Sequence, residues 1–302
     1  VPITVIEVLE GRPTTQPGAT LDFTEPLDEV LQTAPIQQYQ LSASGGSDNV
    51  RYSLGGEYLN QDGIIINTNF KRYSARANID AKLSDKLAIK LNFNPSFADK
   101  HNVGGPGIDQ VGSDAARTSD VIYNALVIPQ YYSVWNEDGT YFPFGDGLDA
   151  VVSTQNPVAI AKEVTRQQKV MGFLGNINAE YKIFEGLKFN AMLGTNLMSL
   201  KGMTFKPQLP SFQNNPAVGT DNATMLVNWI NEYTLNYAKS FGKHNITALV
   251  GFTSQKETYE SNSMTSNRYP NNLVPTLSAV SGIITGGTAE ISEWSMISYL
   301  SR

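Results

Sequence analysis

The constraint that weighs most on this chain is a period of two, sustained over stretches longer than the strands of most water-soluble domains. From Tyr73 to Leu83 one parity reads Tyr73, Ala75, Ala77, Ile79, Ala81, Leu83, and the other reads Ser74, Arg76, Asn78, Asp80, Lys82. Successive side chains of a strand point to opposite faces, so this segment has one apolar and one polar face. Ser84-Asp85-Lys86 then breaks the pattern, and Leu87, Ile89, Leu91 and Phe93 alternate with Lys90, Asn92, Asn94 and Ser96. The spacing predicts two long antiparallel strands joined by a tight turn.

The unit recurs. Met171, Phe173, Gly175, Ile177, Ala179, Tyr181 and Ile183 oppose Asn176, Asn178, Glu180 and Lys182; after Phe184-Glu185-Gly186, Leu187, Phe189, Ala191 and Leu193 return. Trp229, Tyr233, Leu235 and Tyr237 turn at Gly242-Lys243-His244 and return through Ile246, Ala248, Val250 and Phe252. Tyr39, Leu41 and Ala43 pair with Val50, Tyr52, Leu54 and Tyr58 through Gly46-Ser47-Asp48-Asn49. A last strand from about Glu290 carries Trp294 and Met296 on one face, for about nine strands in all.

Strands of this length suit a tilted bilayer crossing, which takes about 9–11 residues, better than a soluble sheet, where about five or six is usual. Every second connection is a tight turn. The others are long, at about 99–166, 200–225 and 259–289, with a shorter one near 60–68. Short turns on one side and long loops on the other form the layout of an outer-membrane barrel, with Tyr58, Phe97, Tyr181, Trp229 and Phe241 placed for interfacial girdles. The expected fold is therefore all-β: an antiparallel transmembrane β-barrel segment with long extracellular loops. The competing fold is a soluble β-sandwich or propeller, whose apolar strand face fills a core.

Composition removes other classes. Lys plus Arg is 22 against 28 Asp plus Glu, an acidic balance that argues against nucleic-acid binding. The absence of cysteine excludes disulfide scaffolds, iron–sulfur sites and thiol nucleophiles, and two distant histidines, His101 and His244, argue against a histidine metal site. No run approaches the 18 apolar residues of a transmembrane helix, and the opening Val1-Pro2-Ile3 stretch lacks the features of a signal peptide. With 10% aromatic and 17% charged residues the chain is not of disordered composition.

Several stretches resemble one family in its order. These are Ala34-Pro35-Ile36-Gln37-Gln38-Tyr39, Leu41-Ser42-Ala43-Ser44-Gly45-Gly46-Ser47, Arg51-Tyr52-Ser53, Tyr58-Leu59-Asn60-Gln61-Asp62-Gly63 and Phe70-Lys71-Arg72-Tyr73-Ser74-Ala75-Arg76. They continue with Asn156-Pro157, Phe173-Leu174-Gly175-Asn176, Glu185-Gly186-Leu187-Lys188-Phe189 and Glu293-Trp294-Ser295-Met296 through Arg302. Together, over roughly residues 25–302, they resemble the barrel of SusC/RagA-type TonB-dependent transporters of Bacteroidetes. That resemblance implies an outer-membrane location, a barrel of about 22 strands around a plug, and import of oligosaccharides or peptides. It also implies a SusD-like surface lipoprotein lid and energy from TonB–ExbB–ExbD. No cofactor and no enzymatic activity are implied. A TonB box and a plug sequence are not found here, and strand parity places the start of the strand near Ile36 outside the cell. The chain thus reads as a segment: residues 1–35 irregular or extracellular, and 36–302 a partial barrel. Nine strands leave two open edges, so the stretch alone is expected not to form a conducting pore.

The 99–166 loop is the best place for function. Thr118-Ser119-Asp120 is placed to cap a helix carrying Val121, Ile122, Ala125 and Leu126 that ends before Pro129. Asn136-Glu137-Asp138-Gly139 reads as a turn between two short strands. Tyr131, Tyr132, Trp135, Tyr141 and Phe142 are the candidate substrate-binding residues, as rings that stack on sugars or contact a lid; the plainer reading is that most form the loop's own core. Asp109, Asp114, Asp146 and Asp149 lack EF-hand spacing and read as solvated turns, and Gly104-Gly105-Pro106-Gly107 as a flexible loop with no phosphate-cradle context. Both histidines read as exposed. No nucleophile–base pair stands out. Arg51, Glu57, Arg76, Asp80, Lys82, Lys90, Glu180, Lys182, Lys188 and Glu232 are expected along the lumen wall.

Overall fold

A computed structural model describes residues 25–103, 120–130, 132–144, 155–212, 215–267, 269–280, 284 and 286–302, together with the backbone of 5–9 and 12–16. The first two strands, β1 (Val5–Leu9) and β2 (Arg12–Gln16), form a separate antiparallel hairpin in a region expected to be irregular. Thereafter nine strands follow one another: β3 (Ile36–Gly46), β4 (Val50–Asp62), β5 (Asn69–Lys82), β6 (Leu87–Asn102), β7 (Thr165–Phe184), β8 (Leu187–Lys206), β9 (Val218–Phe241), β10 (His244–Ser266) and β11 (Gly286–Ser301). Each pairs antiparallel with its neighbours in chain order, β3 to β11, in a single sheet.

The register turns the sequence alternation into two surfaces. Tyr52, Ile79, Leu91, Ile177 and Leu193 lie directly opposite one another across β4–β8. One residue away, Arg51, Asp80, Lys90, Asn178, Met192 and Glu232 do the same across β4–β9. Directly paired residues share a face, so the first row lies on an apolar surface and the second on a polar one. A one-residue slip would exchange the two, so the register is tightly specified. On β7 the apolar parity runs from Met171 to Ile183, about 40 Å of strand, which suffices for a tilted crossing of an apolar band of ~25 Å.

Tight turns gather at one end of the sheet. The β7–β8 turn holds Gly186 at φ +92°, where a Cβ would meet the Ala238 carbonyl oxygen at 2.7 Å, so glycine is required there. At the other end β8, β9 and β10 run further than the alternation suggests, narrowing those two connections to 207–217 and 267–285. Local pairing continues through polar residues such as Thr220 and Thr265, whose hydroxyls hydrogen-bond across strands at 2.9 Å.

The dry core does not lie on the sheet. Val30, Val103, Val121, Ala125, Ile128, Val134, Phe144, Val158, Ile160 and Phe212 form one buried cluster at the long-loop end. By contrast, Leu41, Tyr73, Met171 and Ile177 on the apolar sheet face are 80, 49, 58 and 40% exposed. Exposure of these apolar side chains suits a wall that faces lipid rather than the filled core of a sandwich. The antiparallel barrel-wall fold expected from the alternation is borne out.

Candidate functional site

The long-loop end is a packed cap built on two short helices. In α1 (Val121–Val127), Asp120 is the N-cap and its carboxylate accepts from the Tyr123 N–H at 3.0 Å. The helix ends at Ile128, before Pro129, and buries Val121, Asn124 and Ala125 while Leu126 faces out. In α2 (Pro157–Glu163), Asn156 is the N-cap and Pro157 opens the first turn, where a missing N–H costs nothing.

Asn156 does more than cap. Fully buried, its Oδ1 accepts from the Val158 and Ala159 N–H groups at 3.0 and 3.1 Å, while its Nδ2 donates to the carbonyls of Val134 and Phe142 at 2.6 and 3.1 Å. One amide thus ties the helix to the 133–142 ribbon with all its main hydrogen-bonding capacity used. Asn124, also fully buried, accepts from the Gln155 N–H at 2.8 Å and donates to the Asp120 carbonyl at 2.7 Å. Segments preceding β3 and between β4 and β5 join the same cap. Leu31 bridges Ile65, the Ile66 N–H donates to the Val30 carbonyl, and the Asn67 Nδ2, on a residue at φ +60°, donates to the Ala161 carbonyl at 3.2 Å. The stretch leading into β3 therefore sits at the long-loop end, as strand parity requires.

The 133–142 ribbon turns at Asp138-Gly139, as the Asn-Glu-Asp-Gly stretch predicts. Hydrogen bonds from the Thr140 hydroxyl and N–H hold the Asp138 carboxyl below its ordinary range. Trp135 and Tyr141 pair across the ribbon with rings stacked at 5.2 Å, and the Lys162 ammonium lies 5.0 Å from the Trp135 ring. The Trp135 Nε1 donates to Glu29 at 3.2 Å and the Tyr141 hydroxyl to Glu163 at 2.7 Å. Burial, then that bond to Glu163, pushes the Tyr141 phenol well above its ordinary range. Tyr132 and Phe142 pack on Phe144, at ring distances of 6.3 and 4.9 Å.

Of the five candidate binding residues, the structure thus brings Tyr132, Trp135, Tyr141 and Phe142 together against the cap core; Tyr131 lies outside the described residues. So do Thr118, Ser119, Gly104 to Gly107, Asp109, Asp114, Asp146 and Asp149. No group of three or more potential metal ligands occurs among the described residues. His244 is exposed at the start of β10, but His101 is half-buried, opposite Asn69 and Gln167, because β6 runs on past the loop start expected there.

The polar face holds all ten charged residues expected on it. Arg72 pairs with Glu57 at 2.5 Å and Lys188 with Glu180 at 2.8 Å. Asn92 donates to Asn176 at 2.8 Å, and Asn228 to Glu257 at 2.9 Å. Trp294 and Met296 lie on this same face, opposite Glu257 and Gln255, and the Trp294 Nε1 donates to Glu257 at 3.0 Å. Sequence reading missed that contact, since Glu257 sits 37 residues away on the neighbouring strand.

A one-layer antiparallel sheet, apolar on one face and polar on the other, with loops packed into a cap at one end, has the design of a β-barrel wall of outer-membrane type. Solved structures of the RagAB peptide transporter share it. One superposes with a TM-score of 0.73 at 21% identity, covering 92% of this chain and 31% of that one. No protein-family model matches the chain. In sequence it is 32% identical over 234 residues to TonB-dependent receptor P3 of Formosa agariphila, covering 76% of this chain and 22% of that receptor. It is 23% identical to TonB-dependent receptor SusC of Bacteroides thetaiotaomicron, covering 74% and 23%. Over the matched stretch the chain belongs to the SusC/RagA type of TonB-dependent receptor. It spans about a fifth of the length of the curated relatives that it matches.

Proposed function

We propose that this chain forms part of the wall and outer cap of an outer-membrane, TonB-dependent importer of oligosaccharides or peptides. The observation that carries the reading is the division of one sheet into a wide, uncovered apolar face and an opposite face rich in charge and amide pairs. Only lipid on one side and a wet lumen on the other suits both. The wall performs no catalytic chemistry. Its polar residues solvate the passage and meet a plug, through which TonB–ExbB–ExbD would supply energy. Both signs of charge are present, so the wall favours neither anions nor cations.

The cap is the receiving end, beneath a SusD-like surface lipoprotein. Tyr132, Trp135, Tyr141 and Phe142 are the proposed substrate-facing aromatics, and Tyr131 is proposed with them from sequence alone; the half-exposed Trp135–Tyr141 stack is the member best placed to meet a sugar ring or a peptide side chain. The test is substrate binding by the full-length receptor with Trp135→Ala. Weaker binding with unchanged detergent-extracted folding supports the site, and unchanged affinity discards it.

A further inference from the structure

We propose that the Trp135–Tyr141 stack, flanked by Glu29 and Glu163, is a seat for a cationic group: a primary ammonium or guanidinium carried by the imported oligosaccharide or peptide. The inference rests on the substrate-facing reading of this stack and names the chemistry that it selects.

The seat follows from how the cap is built. Val158, Ala159, Ile160 and Ala161 of α2 are buried, which leaves Lys162 and Glu163 at the end of the helix, against the 133–142 ribbon. Each ring of the stack gives its one polar hydrogen to a carboxylate, the Trp135 Nε1 to Glu29 and the Tyr141 hydroxyl to Glu163. Donation to an anion pushes negative charge into the ring and strengthens the attraction of its face for a cation. Neither carboxylate has a cationic partner among the described residues, so both charges stand uncompensated at the edges of the stack.

A cation already approaches one ring. The Lys162 ammonium lies 5.0 Å from the Trp135 centre, yet it makes no hydrogen bond or ion pair among the described residues, and the residue is exposed. Lys162 thus reports the polarity of the seat without locking it, because an exposed lysine changes rotamer freely and yields to a ligand cation.

The surroundings carry the same sign. Apart from the capping Asp120, the described residues of segments 25–35, 120–144 and 155–164 include Glu25, Asp28, Glu29, Glu137, Asp138 and Glu163 against Lys162 alone. Lys100, Arg166 and Lys206, on the lumen side of the strand tops, bring the count to four bases against six acids, and Lys206 is engaged by the Gln155 amide and the Phe212 ring. A mouth of this sign attracts cations and repels anions before contact. A neutral sugar would use the ring face and leave both carboxylates idle, and an anion would meet like charge at each edge. An ammonium or guanidinium uses rings and carboxylates together.

The experiment titrates the full-length receptor by calorimetry with two matched pairs, in mildly acidic, low-salt buffer that keeps amines protonated. The pairs are chitosan trisaccharide against its N-acetylated form, and trilysine against its side-chain-acetylated form. At least one amine is expected to bind about tenfold or more tighter than its acetylated partner, and which one does so tells whether a sugar or a peptide brings the charge. Glu29→Gln combined with Glu163→Gln keeps an acceptor for each ring and is expected to abolish the preference. Lys162→Gln removes the competing ammonium and is expected to tighten amine binding several-fold, a gain that a merely structural lysine would not give. Amines that bind no tighter than the acetylated probes, a preference that survives the double variant, or no gain in Lys162→Gln overturns the cation assignment. When that assignment alone fails, Trp135→Ala still weakens amine and acetylated probes alike; when the substrate-facing reading itself fails, Trp135→Ala leaves every affinity unchanged.

Discussion

Replacing Asn156 tests how the cap is held. In Asn156→Ala the Val158 and Ala159 N–H groups lose their side-chain acceptor and the Val134 and Phe142 carbonyls lose a donor, all within a dry core. Loss of the cap costs about 1 kcal/mol. The Val134 carbonyl keeps the Phe142 N–H at 2.9 Å, so it adds little. The Phe142 carbonyl has no other partner among the described residues, and leaving it buried and unpaired costs about 1–3 kcal/mol. The total of about 2–4 kcal/mol corresponds to a fall of roughly 30- to 1,000-fold in hydrogen-exchange protection of the α2 amides, with β7 and β8 unaffected. Mass-spectrometric exchange on the full-length receptor in detergent reads this directly. Asn156→Asp is the sharper variant. Aspartate caps helices as well as asparagine does, yet it cannot donate to two carbonyls and sets its oxygen against them. It is therefore expected to fail as alanine does; restored protection in Asn156→Asp would refute the two-sided role.

Other outcomes follow from the same geometry. Ile177→Arg, on the apolar face, is expected to cost about 2–4 kcal/mol in urea titrations of the receptor folded into liposomes, whereas Asn178→Arg on the lumen face costs little; equal penalties would contradict the assignment of faces. The Tyr141 phenol, held protonated by burial and by Glu163, should not ionise near pH 10. Because its folded pKa is raised, its contribution to the cap is complete below pH 10 and declines as pH rises above it. Ultraviolet titration should therefore show no ordinary tyrosinate step lost in Tyr141→Phe. Gly186→Ala should lower stability by about 1 kcal/mol or more, since a left-handed turn and the Ala238 carbonyl both oppose a side chain; an unchanged urea midpoint would show that the turn relaxes freely.

Legibility in the sequence followed the range of the interactions. The alternation from Tyr73 to Leu83 and from Met171 to Ile183 was readable because a period of two is local, and nearest-neighbour pairing across a tight turn propagates it. The N-cap at Asp120 and the Asp138-Gly139 turn were readable for the same reason. Asn156 was visible as half of an Asn-Pro pair, but its bonds to Val134 and Phe142 reach 22 and 14 residues back and leave no local mark. Nor did the sequence indicate that Val30, Ile65 and Val103 share a core with α2, since these segments meet only once the strands have set their positions. Trp294 and Met296 mislead because strand faces are usually assigned by hydrophobicity; register places both on the wet side, where the indole N–H finds Glu257. The aromatic residues 132–142 illustrate the same limit: a ring that packs and a ring that waits for a ligand have identical sequence signatures.

The most direct test of the lipid-facing wall is a single-cysteine scan through this stretch, which has no native cysteine, in a receptor with any cysteines elsewhere replaced. Cysteines introduced singly from 73 to 82 and from 171 to 182, in the full-length receptor in bilayers, would carry a fluorophore quenched by a nitroxide on the lipid chains. Odd positions such as Tyr73, Ile79 and Ile177 should be quenched by lipid and resist a water-soluble thiol reagent, while Arg76, Asn78 and Asn176 should do the reverse. Quenching without alternation, or strongest at the even positions, would contradict the account.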